Sequence, residues 1–319
     1  MARNESADRA AQWEEIACPL CEEPSFRLVH EVRDRLQARD SRTAGRLTDT
    51  FRIVACLTCG FRYLNPRPRD EHLAKYYRTE GYDPHRRSGG GIVGMLYRLL
   101  RPFSVGFKAA KISKGREPGR LLDVGCGSGE FLIEMQRRGW ETLGIEEDET
   151  AARLAQASGC PVLIGDPLEV ALPNATFDLI TFWHALEHLP DIKGTIAKVT
   201  ARLERGGILA IALPNPDSCD ARFYGSKWAA WDAPRHLYHF RRCDLERLLQ
   251  SASGQFRLIR SHALPLDPFY HALLSEISWS RGAAAILRAL RGLVIGAVSF
   301  GAGFKAGSGS STLYLFEKG

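Results

Sequence analysis

The sequence predicts an α/β fold: a doubly wound, seven-stranded, mostly parallel sheet with a small N-terminal module in front of it. From Gly119 onward, short apolar runs alternate with stretches of helical spacing. This is the pattern of strands joined by helices on both faces of a parallel sheet. Before that point lie two C-x-x-C pairs, Cys18 with Cys21 and Cys56 with Cys59, whose arrangement is typical of a metal-binding module.

Composition limits the class of protein. The chain has 319 residues, of which 45% are hydrophobic and 25% charged, as in a soluble globular protein with one large domain and an added module. Its formal charge of +6 is too modest to predict nucleic acid or an anionic membrane as a partner. Eight cysteines in this arrangement suit a reducing compartment, and residues 1–15 lack the apolar segment of a signal peptide. We therefore expect a cytoplasmic protein.

The cysteine pairs predict a zinc-ribbon module over residues 1–77. Four thiolates can hold one tetrahedral zinc ion in a closed site that stabilises the fold and takes no part in catalysis. Unconnected thiols or redox pairs are the alternative. Residues 78–118 are expected to form a linker and lid helices. Within them, residues 92–111 predict an amphipathic helix pair that covers the main domain or lies on an anionic membrane surface.

The main domain is expected over residues 119–319, with pocket insertions at 214–240 and 265–308. Short apolar runs bounded by turn residues predict its strands, at 120–124, 141–146, 162–164, 177–182, 207–213, 256–262 and 311–316. The predicted helices include 129–138, 149–158, 193–203 and 242–251.

A glycine-rich turn follows the first predicted strand of this domain. Gly125, Gly127 and Gly129 stand at alternate positions, so that backbone amides at the start of a helix can approach a ligand closely. A dinucleotide fingerprint needs a glycine where this chain has Glu130, and Asp123 adds a second carboxylate at the end of the strand. Because carboxylates repel a pyrophosphate and attract cations, the turn favours a cationic ligand.

Further polar side chains follow the next strands, at the edge where ligands bind in open α/β sheets. Glu146 ends the second strand and can accept hydrogen bonds from both hydroxyls of a ribose. Asp166 follows the third strand, where it can accept from an adenine amino group or cap a helix before Pro167. His184 follows the fourth strand. With the glycine turn, these residues predict a nucleoside site.

This order of motifs resembles the class I S-adenosylmethionine-dependent methyltransferases over residues 119–213, and so implies a Rossmann-like sheet. The resemblance implies S-adenosylmethionine as cofactor, with a set of contacts at Asp123, Gly125, Gly127, Glu146 and Asp166. Cys126 is placed with them by its position in the turn, although packing is the favoured reason for its small side chain. His184 takes a position that often faces cofactor or substrate.

Two adjacent tyrosines, Tyr76 and Tyr77, follow the second cysteine pair. In this the N-terminal module resembles the zinc-binding module that precedes some bacterial methyltransferases, including the deoxysugar C-methyltransferases. The resemblance implies that Tyr76, Tyr77 and Tyr82 are candidate lid residues over the active site. Packing of the module onto the main domain is the alternative role.

Residues 214–240 follow the fifth predicted strand and are rich in aromatic and ionisable side chains, which predicts an acceptor pocket. His236 is the candidate general base, because imidazole can take a proton near neutral pH, and His239 and His184 are the alternates. Arg235 is expected to hold an anionic group such as a phosphate. The competing interpretation of His236 is that it merely hydrogen-bonds this loop to the sheet.

The stretch 283–304 is apolar but contains Arg288 and Arg291. These charges argue against a membrane span, which needs about twenty consecutive apolar residues. The stretch is instead expected to cap the pocket or to touch a bilayer, which leaves a lipid-linked acceptor open.

The function predicted from these features is methyl transfer from S-adenosylmethionine to a small molecule: a sugar, a nucleotide sugar or a lipid-linked metabolite. The alternatives are an RNA methyltransferase whose ribbon binds RNA, and a non-catalytic cofactor-binding protein. We expect no nucleic-acid partner, because residues 22–55 mix acids with arginines and contain no basic-aromatic stripe. Peripheral contact with the inner face of the membrane fits the apolar stretch.

Overall fold

The N-terminal part of the chain forms small antiparallel sheets. A computed structural model of the protein describes residues 12–34, 50–77, 92–252, 255–277, 284–304 and 308–319. The first elements are β1 (Trp13–Glu14), β2 (Phe26–Arg33), β3 (Thr50–Cys56), β4 (Arg62–Leu64), β5 (Arg67–Pro68), the short helix α1 (Asp70–Leu73) and a 3-10 turn at Ala74–Tyr76. Strand β3 pairs with β2 and β4, and β1 pairs with β5. Burial of Phe51, Ile53 and Val54 anchors β3 in the core.

All but one of the remaining strands build the main sheet. The remaining strands are β6 (Arg120–Val124), β7 (Glu141–Glu146), β8 (Val162–Ile164), β9 (Phe177–Trp183), β10 (Leu203–Pro214), β11 (Tyr238–His239), β12 (Phe256–Ala263) and β13 (Ser311–Lys318). Seven of them form one sheet in the order β12-β13-β10-β9-β6-β7-β8, in which β13 runs antiparallel to both neighbours and the other pairs are parallel. The prediction of a mostly parallel, seven-stranded sheet is therefore confirmed.

Helices cover this sheet on both faces. They are α2 (Ile92–Ser113), α3 (Glu130–Arg137), α4 (Glu149–Ala157), α5 (Ile192–Thr200), α6 (Cys219–Tyr224), α7 (Arg242–Ala252), α8 (Asp267–Ile277) and α9 (Ala284–Ala302), with 3-10 turns at Leu186–His188, Gly225–Lys227 and Ala229–Trp231. Because side chains alternate along a strand, Leu122 and Ile180 face one core together with α5 and α7. Leu121 and Leu179 face a second core with α2, α3 and α4.

The predicted helix pair at 92–111 is wrong in one respect: it is a single helix, α2, with Pro102 inside it. A proline removes one backbone hydrogen bond, but Ala109 and Ile112 on the following turns are buried against the sheet and hold the second half of the helix in place. The predicted linker up to residue 91, and Tyr82 within it, lie outside the described residues.

One strand of the main domain completes the N-terminal sheet. Strand β11, which belongs to the predicted pocket insertion, pairs antiparallel with β4 and extends the sheet to the order β11-β4-β3-β2. The rings of Phe61 and Phe240 lie 5.1 Å apart in the shared core. The N-terminal part is therefore bound to the main domain through both backbone and apolar contacts.

Helices α8 and α9 lie against each other beside the main sheet. The guanidinium of Arg291 donates two hydrogen bonds of 2.7 and 2.8 Å to Glu276 on α8. On its outer side α9 exposes a set of large apolar side chains, which includes Ile286, Leu287, Leu290, Leu293, Val294 and Val298. Among the helices that the structure describes, none combines the length and the apolar character needed to cross a bilayer.

Candidate active site

The glycine turn lies between β6 and α3 and packs against the loop after β9. Gly125 has φ 74°, and a Cβ built on it would lie 2.7 Å from the Cβ of Ala185. Gly129 has φ 79°, and its Cβ would lie 2.8 Å from the Cβ of Ala155 on α4. Both positions therefore require glycine for conformation and for space.

Glu146 lies beside this turn at the end of β7. Its Oε2 accepts a hydrogen bond of 2.7 Å from the amide of Gly127, and its Oε1 accepts one of 2.9 Å from the amide of Asp148. The carboxylate is half-buried. Both predicted members of the nucleoside site are thus in direct contact, and the acid fixes the shape of the turn.

Asp123 lies under the turn and is 1% exposed. Its Oδ1 accepts a hydrogen bond of 2.6 Å from the hydroxyl of Thr181 on β9. Burial raises the pKa of Asp123 to about 7, although the Thr181 bond and the positive charge of Lys108 act in the opposite direction. The carboxyl group is therefore close to its titration point near neutral pH.

Asp166 and Cys126 both have local structural partners. The carboxylate of Asp166 accepts a hydrogen bond of 2.6 Å from the amide of Leu168. The residues that follow form a turn and not the predicted helix, and the adenine contact stays a prediction. Cys126 is buried, and its Sγ lies against Gly144. A Cβ built on Gly144 would lie 2.5 Å from this sulfur. Burial raises the pKa of this thiol, so Cys126 fills space in the turn as a neutral group.

His184 ends β9 with a left-handed backbone, φ 55°. Its Nε2 lies 3.1 Å from Asp267 at the start of α8, and its Nδ1 lies 3.5 Å from Glu187. Although burial disfavours the charged ring, the two carboxylates raise the pKa of His184 to about 9. A ring that is protonated at neutral pH is unsuited to the predicted alternate role of general base.

His236 lies in the loop before β11 and is 9% exposed. Its Nδ1 lies 2.8 Å from the carbonyl oxygen of Ala230, so Nδ1 carries the proton and Nε2 is left with a lone pair. Burial lowers the pKa of His236, which keeps the ring neutral near pH 7. The structure therefore contains a structural hydrogen bond, but it lies within the loop and does not join the loop to the sheet as predicted. This bond also leaves a basic nitrogen, Nε2, on the ring.

His239 is placed differently from His236. It lies on β11, and its ring is 4.7 Å from the ring of Trp231 and 6.4 Å from that of His236. The side chain is 3% exposed, and burial lowers its pKa well below the usual value. His239 is thus enclosed by the N-terminal sheet and the aromatic loop.

The expectation that Arg235 holds an anionic ligand is wrong. Its side chain is fully buried and donates hydrogen bonds to Asp34 at 3.0 and 3.2 Å and to Asp232 at 2.7 and 3.0 Å. The sequence gives no indication of Asp34 as a partner, because the two residues are far apart in the chain. Arg235 instead joins the acceptor loop to the N-terminal part.

Two residues near His236, Glu187 and His188, have no role predicted from the sequence. They belong to the 3-10 turn after β9, and the candidate lid residue Tyr77 reaches His188 from the N-terminal part. The Tyr77 hydroxyl lies 2.9 Å from Nδ1 of His188, and the His188 and His236 rings are 4.7 Å apart. The adjacent Glu-His pair can be seen in the sequence, but its proximity to His236 cannot.

The two tyrosines after the cysteine module have different surroundings. Tyr76 is buried, with its ring 6.3 Å from those of Trp13 and Phe51, so these contacts pack it within the N-terminal part and not, as predicted, against the main domain. Tyr77 is half-buried and touches the loop that carries His188. The four cysteines of the module lie together, with one Sγ–Sγ distance of 3.5 Å between Cys18 and Cys59 and another between Cys21 and Cys56.

Comparisons with known proteins agree with this geometry. Residues 104–254 match a family model described as a methyltransferase domain. The chain is 35% identical to the ubiquinone biosynthesis O-methyltransferase of Paramagnetospirillum magneticum, over 41% of this chain and 49% of that protein. It is 30% identical to the protein of the same name from Mesorhizobium japonicum, over 42% of this chain and 59% of that protein. The chain thus spans about half the length of the curated relatives it matches.

Among solved structures, the chain is similar to magnesium protoporphyrin IX methyltransferase from Synechocystis PCC 6803 with bound S-adenosylmethionine. The sequence identity is 16% and the TM-score 0.47, over 77% of this chain and 94% of that chain. The mostly parallel sheet and the glycine turn with Glu146 agree with the match to the methyltransferase family model. Residues 104–254 are therefore similar to a methyltransferase domain.

Proposed function

We propose that the protein transfers the methyl group of S-adenosylmethionine to a hydroxylated small molecule, and that this acceptor binds beside His236. The observation that carries the proposal is the loop after β9, which touches both parts of the site. On one side Ala185 packs against Gly125 of the turn. On the other side the carbonyl of Glu187 accepts a hydrogen bond of 2.8 Å from the amide of Leu237, next to His236.

On the cofactor side, the acidic groups suit a ligand that is both a nucleoside and a cation. S-adenosylmethionine supplies an electrophilic methyl group on a positively charged sulfur. The oxygens of Glu146, which already accept two backbone amides, are placed to receive ribose hydroxyls, and Asp123 offers a negative charge below the turn. The protein's main contribution to methyl transfer is to align donor and acceptor.

On the acceptor side, His236 is the residue that we propose acts on the acceptor's proton. Its Nδ1 is fixed by Ala230, so its neutral Nε2 is the nitrogen available to the acceptor. Of the two alternates, His184 is held as a cation and His239 is enclosed by packing. An oxygen nucleophile fits this arrangement, because a hydroxyl must lose its proton during methylation.

The class of acceptor is inferred from two features. The two relatives described above are named as O-methyltransferases of ubiquinone biosynthesis, which favours a hydroxyl group as the methylated position. Helix α9 follows α8, the helix that begins at Asp267, and exposes apolar side chains on its outer side. This apolar side favours a lipid-linked acceptor and peripheral contact with a membrane. Sugars and nucleotide sugars remain in the proposed class.

We also propose that the cysteine cluster holds one structural zinc ion. One ligand atom from each of Cys18, Cys21, Cys56 and Cys59 lies within 4.8 Å of the others. Thiolates bound to zinc at about 2.3 Å in a tetrahedral site have similar separations. Four thiolates close the coordination sphere, so this ion would stabilise the module without contacting the acceptor.

The test is methyl transfer from labelled S-adenosylmethionine to a panel of acceptors: polyprenylated phenols, nucleotide sugars, simple catechols and RNA. We expect the wild-type protein to label a small hydroxylated acceptor. His236→Gln should lose turnover by about 100-fold or more, the usual contribution of a positioned acid or base, while calorimetry shows unchanged cofactor binding. Labelling of RNA alone, or full activity of His236→Gln, would contradict the proposal.

A further inference from the structure

We propose that Glu187, His188 and His236 bind one divalent transition-metal ion at the acceptor side of the methyltransferase site. The inference rests on the proposed function and changes its proton-transfer step: Nε2 of His236 would bind the ion, and the ion would lower the pKa of the acceptor hydroxyl, whose proton then passes to water. One ligand atom from each of the three side chains lies within 4.8 Å of the others. This cluster is separate from the four cysteines and contains no sulfur.

The strongest indication is the carboxylate of Glu187. The side chain is 1% exposed, and its Oε1 lies 3.5 Å from Nδ1 of His184, whose Nε2 lies closer, at 3.1 Å, to Asp267. Among the described residues no group makes a well-formed hydrogen bond to either oxygen of Glu187. A buried carboxylate that shares its one cationic neighbour with Asp267 is only partly compensated, and a cation between Glu187 and the two histidines would complete the compensation.

The two histidines have the orientation that metal ligands need. A histidine that binds a metal through one nitrogen almost always donates its other N–H to a carbonyl or a carboxylate, which fixes the ring. Nδ1 of His236 lies 2.8 Å from the carbonyl of Ala230, and Nδ1 of His188 lies 3.0 Å from the carbonyl of Arg235. Both rings are therefore held by backbone carbonyls, with Nε2 left for the ion.

The ligand set defines the class of ion. Two imidazoles and one carboxylate suit zinc and the neighbouring first-row metals such as iron, cobalt and manganese, whereas calcium and magnesium prefer oxygen ligands alone. Three protein ligands leave coordination positions open, in contrast to the closed four-cysteine cluster. An acceptor hydroxyl can occupy such a position, where the cation would favour loss of its proton.

The half-buried His188 gives the site room to close. Metal bonds to nitrogen and oxygen are about 2.0–2.2 Å long, so the three ligand atoms must approach one another slightly from their present separations. Tyr77, whose hydroxyl lies 2.9 Å from Nδ1 of His188, links this adjustment to the N-terminal part. The N-terminal part thus orients one of the ligands.

The experiment is a titration with Co²⁺ of protein whose cysteine site is already filled with zinc, confirmed by elemental analysis. We expect one equivalent of Co²⁺ to bind, detected by calorimetry, with a visible spectrum that lacks thiolate-to-cobalt charge transfer. His236→Ala and Glu187→Gln should each weaken binding by more than tenfold. His239→Gln, a buried histidine three positions from His236, is the matched control and should bind normally.

Thermal melts establish that each variant is folded, and His188→Gln replaces Glu187→Gln should the latter not fold. Absence of Co²⁺ binding to the wild-type protein, or unchanged binding in the folded variants, would overturn the site. If removal of the cation leaves methyl transfer intact while His236→Gln abolishes it, His236 acts as a direct base, and only the metal site is rejected. Loss of cofactor binding in the wild-type protein would instead reject the proposed function.

Discussion

The cofactor side and the acceptor side of this site are assembled in different ways. The cofactor side comes from one β-α-β unit, in which the turn after β6 bonds directly to Glu146 at the end of β7. The acceptor side joins four distant segments: the loop after β9, the loop before β11, Asp267 of α8 and Tyr77. The comparison teaches that the proposed donor site is built from local sequence, whereas the proposed acceptor site depends on long-range contacts.

The largest effect should come from breaking a contact that holds the acceptor side together. Arg235→Ala breaks the ion pair between the fully buried side chains of Arg235 and Asp34, and breaking a buried pair costs about 3–5 kcal/mol of folding free energy. Arg257→Ala is the control, because its pair with Glu317 is exposed and contributes about 1 kcal/mol or less. Urea unfolding measures both. Equal effects would show that the buried ion pair does not stabilise the acceptor side.

A smaller effect is expected on the cofactor side, where one local residue is removed. Glu146→Ala should weaken S-adenosylmethionine binding by about 10- to 100-fold, because hydrogen bonds to a charged group contribute about 1.5–3 kcal/mol. Glu149→Ala removes an acid at the start of α4, which pairs with Arg153 at the surface, and should leave binding unchanged. Calorimetry measures the affinity of both variants for S-adenosylmethionine. Similar losses of affinity would indicate that the summed negative charge of this region, and not the hydrogen bonds of Glu146, holds the cofactor.

The smallest predicted effect is a pH dependence of cofactor binding. Since burial raises the pKa of Asp123 to about 7, the carboxyl is largely neutral at pH 6 and ionised at pH 8. Affinity for the cationic cofactor should therefore fall by about tenfold from pH 8 to pH 6, one pKa unit being about 1.4 kcal/mol. Asp123→Asn cannot titrate at this position, so its affinity for the cofactor should lack this pH dependence. The measurement is the affinity of both proteins for S-adenosylmethionine between pH 6 and pH 8. The same pH dependence in both proteins would exclude Asp123 as its cause.

The fold and the cofactor side were largely predictable from the sequence, because both depend on short-range patterns. The strands β6, β7 and β8 begin and end where the apolar runs do, and Glu146 follows the glycines within the same unit. Such patterns specify which side chains reach the carboxyl edge of a parallel sheet. The donor site therefore needed little tertiary information.

The acceptor side could be predicted only in part. The loop containing His236 was expected at the pocket, but Arg235 was misassigned because its partner Asp34 lies in a segment that sequence periodicity does not connect to it. The pairing of β11 with β4 and the contact of Asp267 with His184 are also long-range. The predicted boundaries between the module, the linker and the main domain stay predictions.

The measurement that tests the account most directly is calorimetric titration of S-adenosylmethionine into the wild-type protein and into His236→Gln. If the two sides of the site are independent, both proteins should bind one equivalent, with dissociation constants that agree within about twofold, as expected for sites without shared partners. Failure of the wild-type protein to bind the cofactor would contradict the central claim. A large loss of affinity in His236→Gln would contradict the separation of donor and acceptor sides.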